Sequence, residues 1–150
     1  MIYVASSWRN TFQPTVIKAL RAANLECYDF RNPADGLTGF EWREVEPSWG
    51  LNVEAGVTAE SYLRGLAHPI SRLGYDRDFT AMEKADTFVL VLPCGRSAHL
   101  ELGWAVGAGK RTAILLDDPC TPELMYLMCD YLALSLADLL DWLGVSDCRT

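Results

Sequence analysis

The chain has 150 residues, half of them hydrophobic, which is enough to bury one core without disulfides or a structural metal. Its net charge of −7 and its 13 scattered basic residues, of which only Lys110 and Arg111 are adjacent, argue against a protein that wraps polymeric nucleic acid. Five cysteines without a CxxC pair, and a start without a long apolar segment, predict a cytoplasmic protein without a signal peptide or a membrane span.

The first elements alternate between strand and helix. Residues 2–5 are a short apolar run typical of a buried strand, Pro14 opens a helix with apolar residues at helical spacing, and residues 25–28 predict a second strand. Residues 29–47 are rich in Asn, Pro, Asp and Gly, which predicts a long loop. Long loops in compact domains are often functional, so this loop is a candidate for ligand contact.

The rest of the chain continues the alternation. We expect a break or turn at His68-Pro69 and an N-cap at Ser97, since hydroxyl side chains cap helix starts well. The predicted elements are helices at residues 58–73 and 76–84, a strand at 87–92, a helix at 97–109, a strand at 112–116, a helix at 122–128, a short strand at 130–134 and a helix at 135–143.

This order predicts an α/β fold. We expect residues 1–150 to form a single domain, a three-layer sandwich of the flavodoxin or Rossmann type with a mostly parallel sheet of about five strands. Ligands of such sheets bind at the carboxyl ends of the strands. The loops at those ends combine hydroxyls and guanidinium groups, which suit phosphate, with aromatic rings, which suit a base. Their polar candidates are Ser6, Ser7, Arg9, Arg31, Arg96, Ser97, His99 and Glu101, with Trp8 and Trp42 as stacking planes.

These side chains also have simpler interpretations. The serines can cap or turn the chain, arginines are usually solvated, and tryptophans more often pack than stack on a base. Neither His68 nor His99 has another His or Cys at metal-ligand spacing, so we expect no metal site.

Glu101 is the most unusual candidate, because it is a carboxylate in the first turns of a helix that follows a buried strand. Ala98 and Ala105 lie on the same helical stripe and leave room beside it. The positive end of the helix dipole favours the ionised form, whereas burial disfavours it. An ionised, poorly solvated carboxylate is a candidate nucleophile, and the alternative is a cap or a surface ion pair with Arg96.

Asp78 is the second acidic candidate. If it reaches Glu101, two close carboxylates would differ in pKa, so that one stays ionised as a nucleophile and the other keeps a proton as an acid. An N-cap role is the alternative for Asp78. Asp86, at the corner between helix and strand, is expected to be structural.

Three segments, IYVASSWR at residues 2–9, RDFTAMEKAD at 77–86 and GRSAHLELGWA at 95–105, together resemble the nucleoside 2-deoxyribosyltransferase family, which includes deoxynucleoside 5′-monophosphate N-glycosidases. The resemblance implies that Glu101 is the nucleophile, that Asp78 assists departure of the base, and that the Tyr3 hydroxyl orients Glu101. It also implies that Ser7 and Arg9 hold a 5′-phosphate, while Ser97 lies closer to Glu101 than the family's serine. Together with residues of the loops at the strand ends, the predicted substrate-binding set is Ser6, Ser7, Trp8, Arg9, Trp42, Gly95, Arg96 and Ser97.

The implied activity is cleavage or transfer of the N-glycosidic bond of a (2′-deoxy)nucleoside or its 5′-monophosphate through a covalent glycosyl-Glu101 intermediate. The resemblance implies a small-molecule nucleoside or nucleotide substrate, no cofactor and no metal. It also implies a homo-oligomer, a dimer or higher, for which the many apolar residues of 124–143 could supply an interface. Two alternatives stay open: an NAD-cleaving enzyme that resembles Toll/interleukin-receptor-like domains, and a non-catalytic nucleotide sensor.

Overall fold

A computed structural model describes residues 1–34, 36–50 and 57–145, and within them strands and helices alternate as predicted. Short 3₁₀ helices lie at Trp42–Glu44 and Leu124–Met128. The main elements are β1 (Ile2–Ala5), α1 (Gln13–Ala22), β2 (Cys27–Asp29), α2 (Ala59–Ala67), α3 (Pro69–Lys84), β3 (Thr87–Val91), α4 (Arg96–Gly107), β4 (Arg111–Leu115), β5 (Tyr131–Ala133) and α5 (Leu136–Trp142).

The chain divides into two compact units. The sheet unit comprises Met1–Asp29 and Lys84–Thr150, and the helical unit comprises Phe30–Glu83. None of the helices in the described part of the chain is long and apolar enough to cross a membrane.

The sheet unit contains five strands in the order β2-β1-β3-β4-β5, and every neighbouring pair is parallel. This confirms the predicted α/β fold of the flavodoxin or Rossmann type. Tyr3 of β1 aligns with Tyr28 of β2 on one side and with Phe88 of β3 on the other. The chain leaves β1 towards β2 and later returns to β1's other side as β3, so the order reverses there and opens a crevice at the carboxyl ends of β1 and β3.

Helices cover both faces of the sheet, which explains why its strands are apolar throughout. On one face, Val4 and Val89 belong to a buried cluster with Leu20 of α1 and Leu139 of α5. On the other face, the Tyr3 ring stacks on Tyr28 and Phe88 at centroid distances of 5.3 and 5.0 Å. Trp104 of α4 contacts Phe88 at 6.0 Å, so α4 covers the face that carries Tyr3.

A glycine lies just after the end of α4. Gly109 has a φ of +68°, in the left-handed region that other residues rarely adopt. The turn lets the Lys110 N–H donate to the Ala105 carbonyl at 3.0 Å, which satisfies one of the last carbonyl groups of the helix. The chain then enters β4 directly.

The predicted N-cap at Ser97 is wrong. Gly95 is the N-cap, with extended backbone, and α4 begins at Arg96, so Ser97 is the second residue of the helix. Glycine is itself a favourable N-cap residue, and it precedes the serine in the chain.

The break expected at His68-Pro69 is confirmed, because α2 ends at Ala67 and α3 begins at Pro69. The extended backbone of His68 follows from the restriction that Pro69 places on the preceding residue. The gap predicted between residues 73 and 76 is wrong, since α3 runs unbroken from Pro69 to Lys84. The segment predicted as an α-helix at 122–128 contains only the five-residue 3₁₀ helix, since such short segments favour the tighter turn.

The helical unit is built around aromatic rings. Trp42 contacts Phe40 and Trp49 edge to face, at centroid distances of 5.1 and 5.7 Å, and lies tilted against Tyr62 at 5.6 Å. Gly74 of α3 lies so close to this cluster that an added Cβ would be 2.8 Å from the Phe40 Cβ. The ring of Trp42, predicted to stack on a base, therefore has packing partners within its own unit.

Gly74→Ala should lower the free energy of unfolding, whereas Gly103→Ala should raise it. Alanine is intrinsically better than glycine in a helix by about 0.5–1 kcal/mol, and a Cβ at Gly103 meets nothing within 4 Å. At Gly74 the same gain is outweighed, because the new Cβ collides with Phe40 close to its backbone. Urea unfolding of both variants beside the wild type measures the difference, and equal midpoints would contradict the close contact.

Candidate functional site

The carboxyl ends of β1 and β3 are tied together by side chains from the loop after β1. The Ser6 hydroxyl donates to the Val91 carbonyl at 2.8 Å. The Asn10 amide donates to the carbonyls of Val91 and Pro93, both at 3.1 Å. Asn10 is 2% exposed, so water cannot replace these hydrogen bonds, and they hold the amide in place. The two loops therefore lie side by side where the strand order reverses.

Asn10 also organises the start of α1. Its Oδ1 accepts hydrogen bonds from the backbone N–H groups of Phe12 and Gln13, at 2.8 and 3.1 Å. The sequence analysis missed this residue. The available signal was an asparagine shortly before the helix opened by Pro14, because asparagine is a strong capping residue.

Ser7 and Arg9 lie in the tight turn between Ser6 and Asn10. The Ser7 hydroxyl accepts from the Arg9 N–H at 3.2 Å, and the Ser7 carbonyl accepts from the Asn10 N–H at 3.0 Å. Trp8, between them, is half-buried. The Arg9 side chain is exposed and forms no ion pair with the described part of the chain, so its guanidinium could contact a ligand.

The loop from β3 to α4 supplies the second wall. Gly95, Arg96 and Ser97 are all exposed. A Cβ added to Gly95 would meet nothing within 4 Å, so there is open space in front of the helix start. Arg96, like Arg9, has no ion-pair partner among residues 1–34, 36–50 and 57–145. Two guanidinium groups without carboxylate partners thus lie in the loops of one crevice.

Glu101 lies in the second turn of α4 and is half-buried. Ala98 and Ala105, at positions i−3 and i+4, are 1% and 0% exposed, which places this stripe of the helix against the sheet. Tyr3 is fully buried on the sheet face that α4 covers. The structure thus brings Tyr3 and α4 to the same face, and the bond by which Tyr3 would orient Glu101 stays a prediction.

A second polar cluster connects α4 to the 3₁₀ helix Leu124–Met128. The Nδ1 of His99 is 2.9 Å from the Gly95 carbonyl, and its Nε2 is 2.9 Å from the Tyr126 hydroxyl. A carbonyl can only accept, so Nδ1 carries the proton and the Tyr126 hydroxyl donates to Nε2. The two rings also stack at a centroid distance of 5.9 Å. His99, one of the polar candidates from the sequence, therefore holds the helix start, and Tyr126 is a further residue that the sequence analysis missed.

Cys94 lies beside this cluster, with its sulfur 3.6 Å from the His99 Nδ1. Burial, followed by the negative charges of Glu101 and Asp117, raises the pKa of Cys94 to about 12. Burial, followed by the nearby charge of Cys94 and then those of Glu123, Asp117 and Cys129, raises the pKa of Tyr126 to about 12. Both groups keep their protons at neutral pH, and the effect on Cys94 places the Glu101 carboxylate within electrostatic reach of the loop.

The remaining predicted residues lie elsewhere. Asp78 and Trp42 belong to the helical unit, so their participation in a site with Glu101 stays a prediction. Asp86 has the structural role expected of it, because its backbone bonds to Met1 and Arg111 join the starts of three strands. In the described part of the chain, no group of three or more His, Cys, Asp or Glu side chains could hold a metal ion.

We expect the thiol of Cys94 to be alkylated slowly by iodoacetamide under native conditions, whereas the exposed Cys120 is alkylated readily. Glu101→Gln should accelerate the labelling of Cys94 about three- to tenfold, because removal of a negative charge lowers the pKa of the thiol. Peptide mass spectrometry after short exposure at mildly alkaline pH measures both rates.

Glu123→Gln is the matched control, since the charge of Glu123 acts on Tyr126 rather than on Cys94. If iodoacetamide labelled Cys94 at the same rate in the Glu101→Gln and Glu123→Gln variants, Glu101 would not lie close to this loop.

Comparison with known proteins finds a likeness in structure but none in sequence. No protein-family model matches the sequence, and no curated protein matches it. A solved 2-deoxyribosyltransferase from the psychrotolerant bacterium Bacillus psychrosaccharolyticus superposes with a TM-score of 0.57 at 19% sequence identity, covering 92% of this chain and 88% of that one. This chain therefore has the fold of that 2-deoxyribosyltransferase.

Proposed function

We propose that this protein is an enzyme that cleaves or transfers the N-glycosidic bond of a 2′-deoxynucleoside or its 5′-monophosphate. One observation carries the proposal: Glu101 is a half-buried carboxylate on the helix that directly follows β3, at the crevice where the strand order reverses. The fold shared with a 2-deoxyribosyltransferase supports the substrate class, as does the family resemblance of the segments around Tyr3, Asp78 and Glu101.

In the proposed first step, a carboxylate oxygen of Glu101 attacks C1′ of the sugar and forms a glycosyl ester. The bond from C1′ to the base nitrogen breaks, and its electron pair goes to the base, which takes a proton from Asp78. The partial burial of Glu101 favours this reaction, because a carboxylate with few water contacts is a stronger nucleophile.

In the second step, an acceptor attacks C1′ from the opposite side, gives its proton to the Asp78 carboxylate left by the first step, and releases the Glu101 carboxylate. Water as acceptor makes the protein a hydrolase, and a second base makes it a transferase. Two displacements in succession retain the configuration at C1′. Both steps need only side chains of this chain and the substrates.

The charges of the crevice favour a phosphorylated substrate. Arg9 and Arg96 are exposed on the two adjacent loops, without ion pairs in the described part of a chain whose net charge is −7. The Ser7 turn holds the backbone of Arg9, and Gly95 leaves open space at the start of α4. A 5′-phosphate bound between the loops would be held by charge-assisted hydrogen bonds, as guanidinium groups provide.

The same proposal includes a cytoplasmic homo-oligomer. Its support is the set of large apolar side chains exposed around the 3₁₀ helix Leu124–Met128 and β5, where Leu124, Leu127 and Leu134 are 75%, 80% and 81% exposed. Burial of such groups in a subunit interface would remove apolar surface from water.

Glu101→Gln should reduce release of free base by roughly 10³-fold or more, because an amide cannot form the glycosyl ester. Chromatography after incubation with deoxynucleosides, deoxynucleoside monophosphates and NAD measures the release, and thermal unfolding checks that the variant is folded. Glu26→Gln, which changes an exposed carboxylate outside the crevice, should act like the wild type.

The same assay separates the alternatives. Exchange of the sugar onto added adenine identifies a transferase, and free deoxyribose or its phosphate identifies a hydrolase. Base release that persists in Glu101→Gln would exclude the nucleophile assigned here, and cleavage of NAD alone would favour the NAD-cleaving alternative. Thermal stabilisation by a nucleotide that is never turned over would favour a sensor.

Arg9→Ala should lower the ratio of kcat/KM for the monophosphate to that for the nucleoside by about 10- to 100-fold, since one charge-assisted hydrogen bond contributes about 1.5–3 kcal/mol. Lys18→Ala removes an exposed positive charge from α1 and should leave the ratio unchanged. Steady-state kinetics with a matched nucleoside and monophosphate tests this, and an equal loss for both substrates would assign Arg9 to folding or general positioning.

A further inference from the structure

A cleft of about 450 Å³ lies in the sheet unit at the amino ends of β4 and β5, the edge opposite the crevice described above. Its volume is within the range of small-molecule sites. The end of α4, the first residues of β4, Asp130 before β5 and Trp142 at the end of α5 line it, so it is separate from the proposed catalytic site. The proposed function makes no use of it.

Arg111 is held in a fixed position at this cleft. Its guanidinium lies over the Trp142 ring at 3.8 Å from the centroid and donates to the Trp142 carbonyl. The indole also stacks on the Tyr131 ring, at a centroid distance of 5.4 Å. A stacked guanidinium has already lost much of its rotational freedom, so less is lost when its remaining N–H groups bind an anion.

The positive charge of Arg111 is not neutralised by a neighbour. Within residues 1–34, 36–50 and 57–145, no carboxylate forms an ion pair with it. Packing on Trp142 explains its position but supplies no negative charge. Lys110, the other member of the only adjacent basic pair in the chain, lines the same cleft, with its ammonium 2.7 Å from the Ala85 carbonyl.

The opposite wall carries an acceptor. Asp130 uses one carboxylate oxygen to accept from the Thr112 backbone N–H and hydroxyl, at 2.7 and 3.1 Å. Its second oxygen forms no hydrogen bond with the described residues and can accept one from a ligand. Val106 and Met128 add apolar surface between the polar groups. The Lys110 ammonium is engaged by the Ala85 carbonyl and lies over the Trp104 ring. The cleft thus combines the Arg111 guanidinium with an acceptor and an apolar wall.

We propose that this cleft binds a small phosphorylated molecule. The phosphate lies against the free edge of the Arg111 guanidinium, and a hydroxyl of the ligand donates to Asp130. Phosphate fits this positive charge better than a neutral group does, and guanidinium matches its oxygens in a bidentate geometry. A sugar phosphate has both required groups, whereas inorganic phosphate can use only the cationic part.

The test is a titration of the ¹⁵N-labelled Arg9→Ala, Glu101→Gln double variant with ribose 5-phosphate, followed by NMR. These substitutions weaken phosphate binding at the crevice and prevent turnover, so the result does not depend on the proposed function. We expect saturable shifts of amides around residues 106–112 and of the Trp142 indole. Ribose without phosphate should give none, and inorganic phosphate should bind more weakly. Raising the salt from about 0.05 to 0.5 M should weaken binding, because screening acts on the attraction between the phosphate and Arg111.

Arg111→Gln in this background should raise the dissociation constant at least about tenfold, the loss expected for one charge-assisted contact. Arg111→Lys keeps the charge without the planar fork and should give an intermediate constant, which keeps the test valid if Arg111→Gln does not fold. Arg21→Gln removes an exposed arginine from α1 and serves as the control. The proposal is overturned if the shifts are confined to the loops at residues 6–10 and 95–97. It is also overturned if no shift saturates by about 10 mM ligand, a concentration that corresponds to very weak binding. The third contrary outcome is that Arg111→Gln and Arg111→Lys bind the ligand as tightly as the control.

Discussion

The candidate site depends on the parallel pairing of β1 with β3. This pairing places the residues after both strands at one edge of the sheet, although paired residues of β1 and β3 are 85 positions apart in the chain. The buried amide of Asn10 then fixes the distance between the two loops, because its donors reach two carbonyls at the end of β3 and its acceptor receives the first amides of α1. A residue with both donors and an acceptor is required there, and an aliphatic substitute would leave several backbone groups without partners.

The sequence was sufficient to predict the sheet and the edge of it at which the loops of the candidate site meet. Continuous apolar runs mark strands that are buried on both faces, and the alternation with helices left a parallel sheet as the simplest arrangement. The boundaries were predicted less well. Ser97 has the better capping side chain, yet Gly95 takes the N-cap position, and α3 continues through Gly74, where a packing contact with Phe40 explains a residue that is unfavourable in helices.

The residues missed by the sequence analysis share a physical cause. Asn10 and Tyr126 act through partners distant in the chain, namely backbone carbonyls of β3 and the ring of His99. Backbone groups have no sequence signature, and a tyrosine in an apolar segment is indistinguishable from a packing residue. By contrast, Glu101 was recognisable because a carboxylate between buried alanines contradicts its local surroundings.

The link between His99 and Tyr126 has a consequence for acid tolerance. A protonated imidazole donates from both nitrogens, so the Tyr126 hydroxyl would then have to accept rather than donate. A phenol oxygen can exchange these roles by rotating its hydrogen, with no movement of either ring. The Gly95 carbonyl keeps its donor in both charge states of His99. The connection that holds the start of α4 can therefore survive acidification. A partner that can only donate, such as an ammonium group in place of the Tyr126 hydroxyl, would lose its hydrogen bond to a protonated His99.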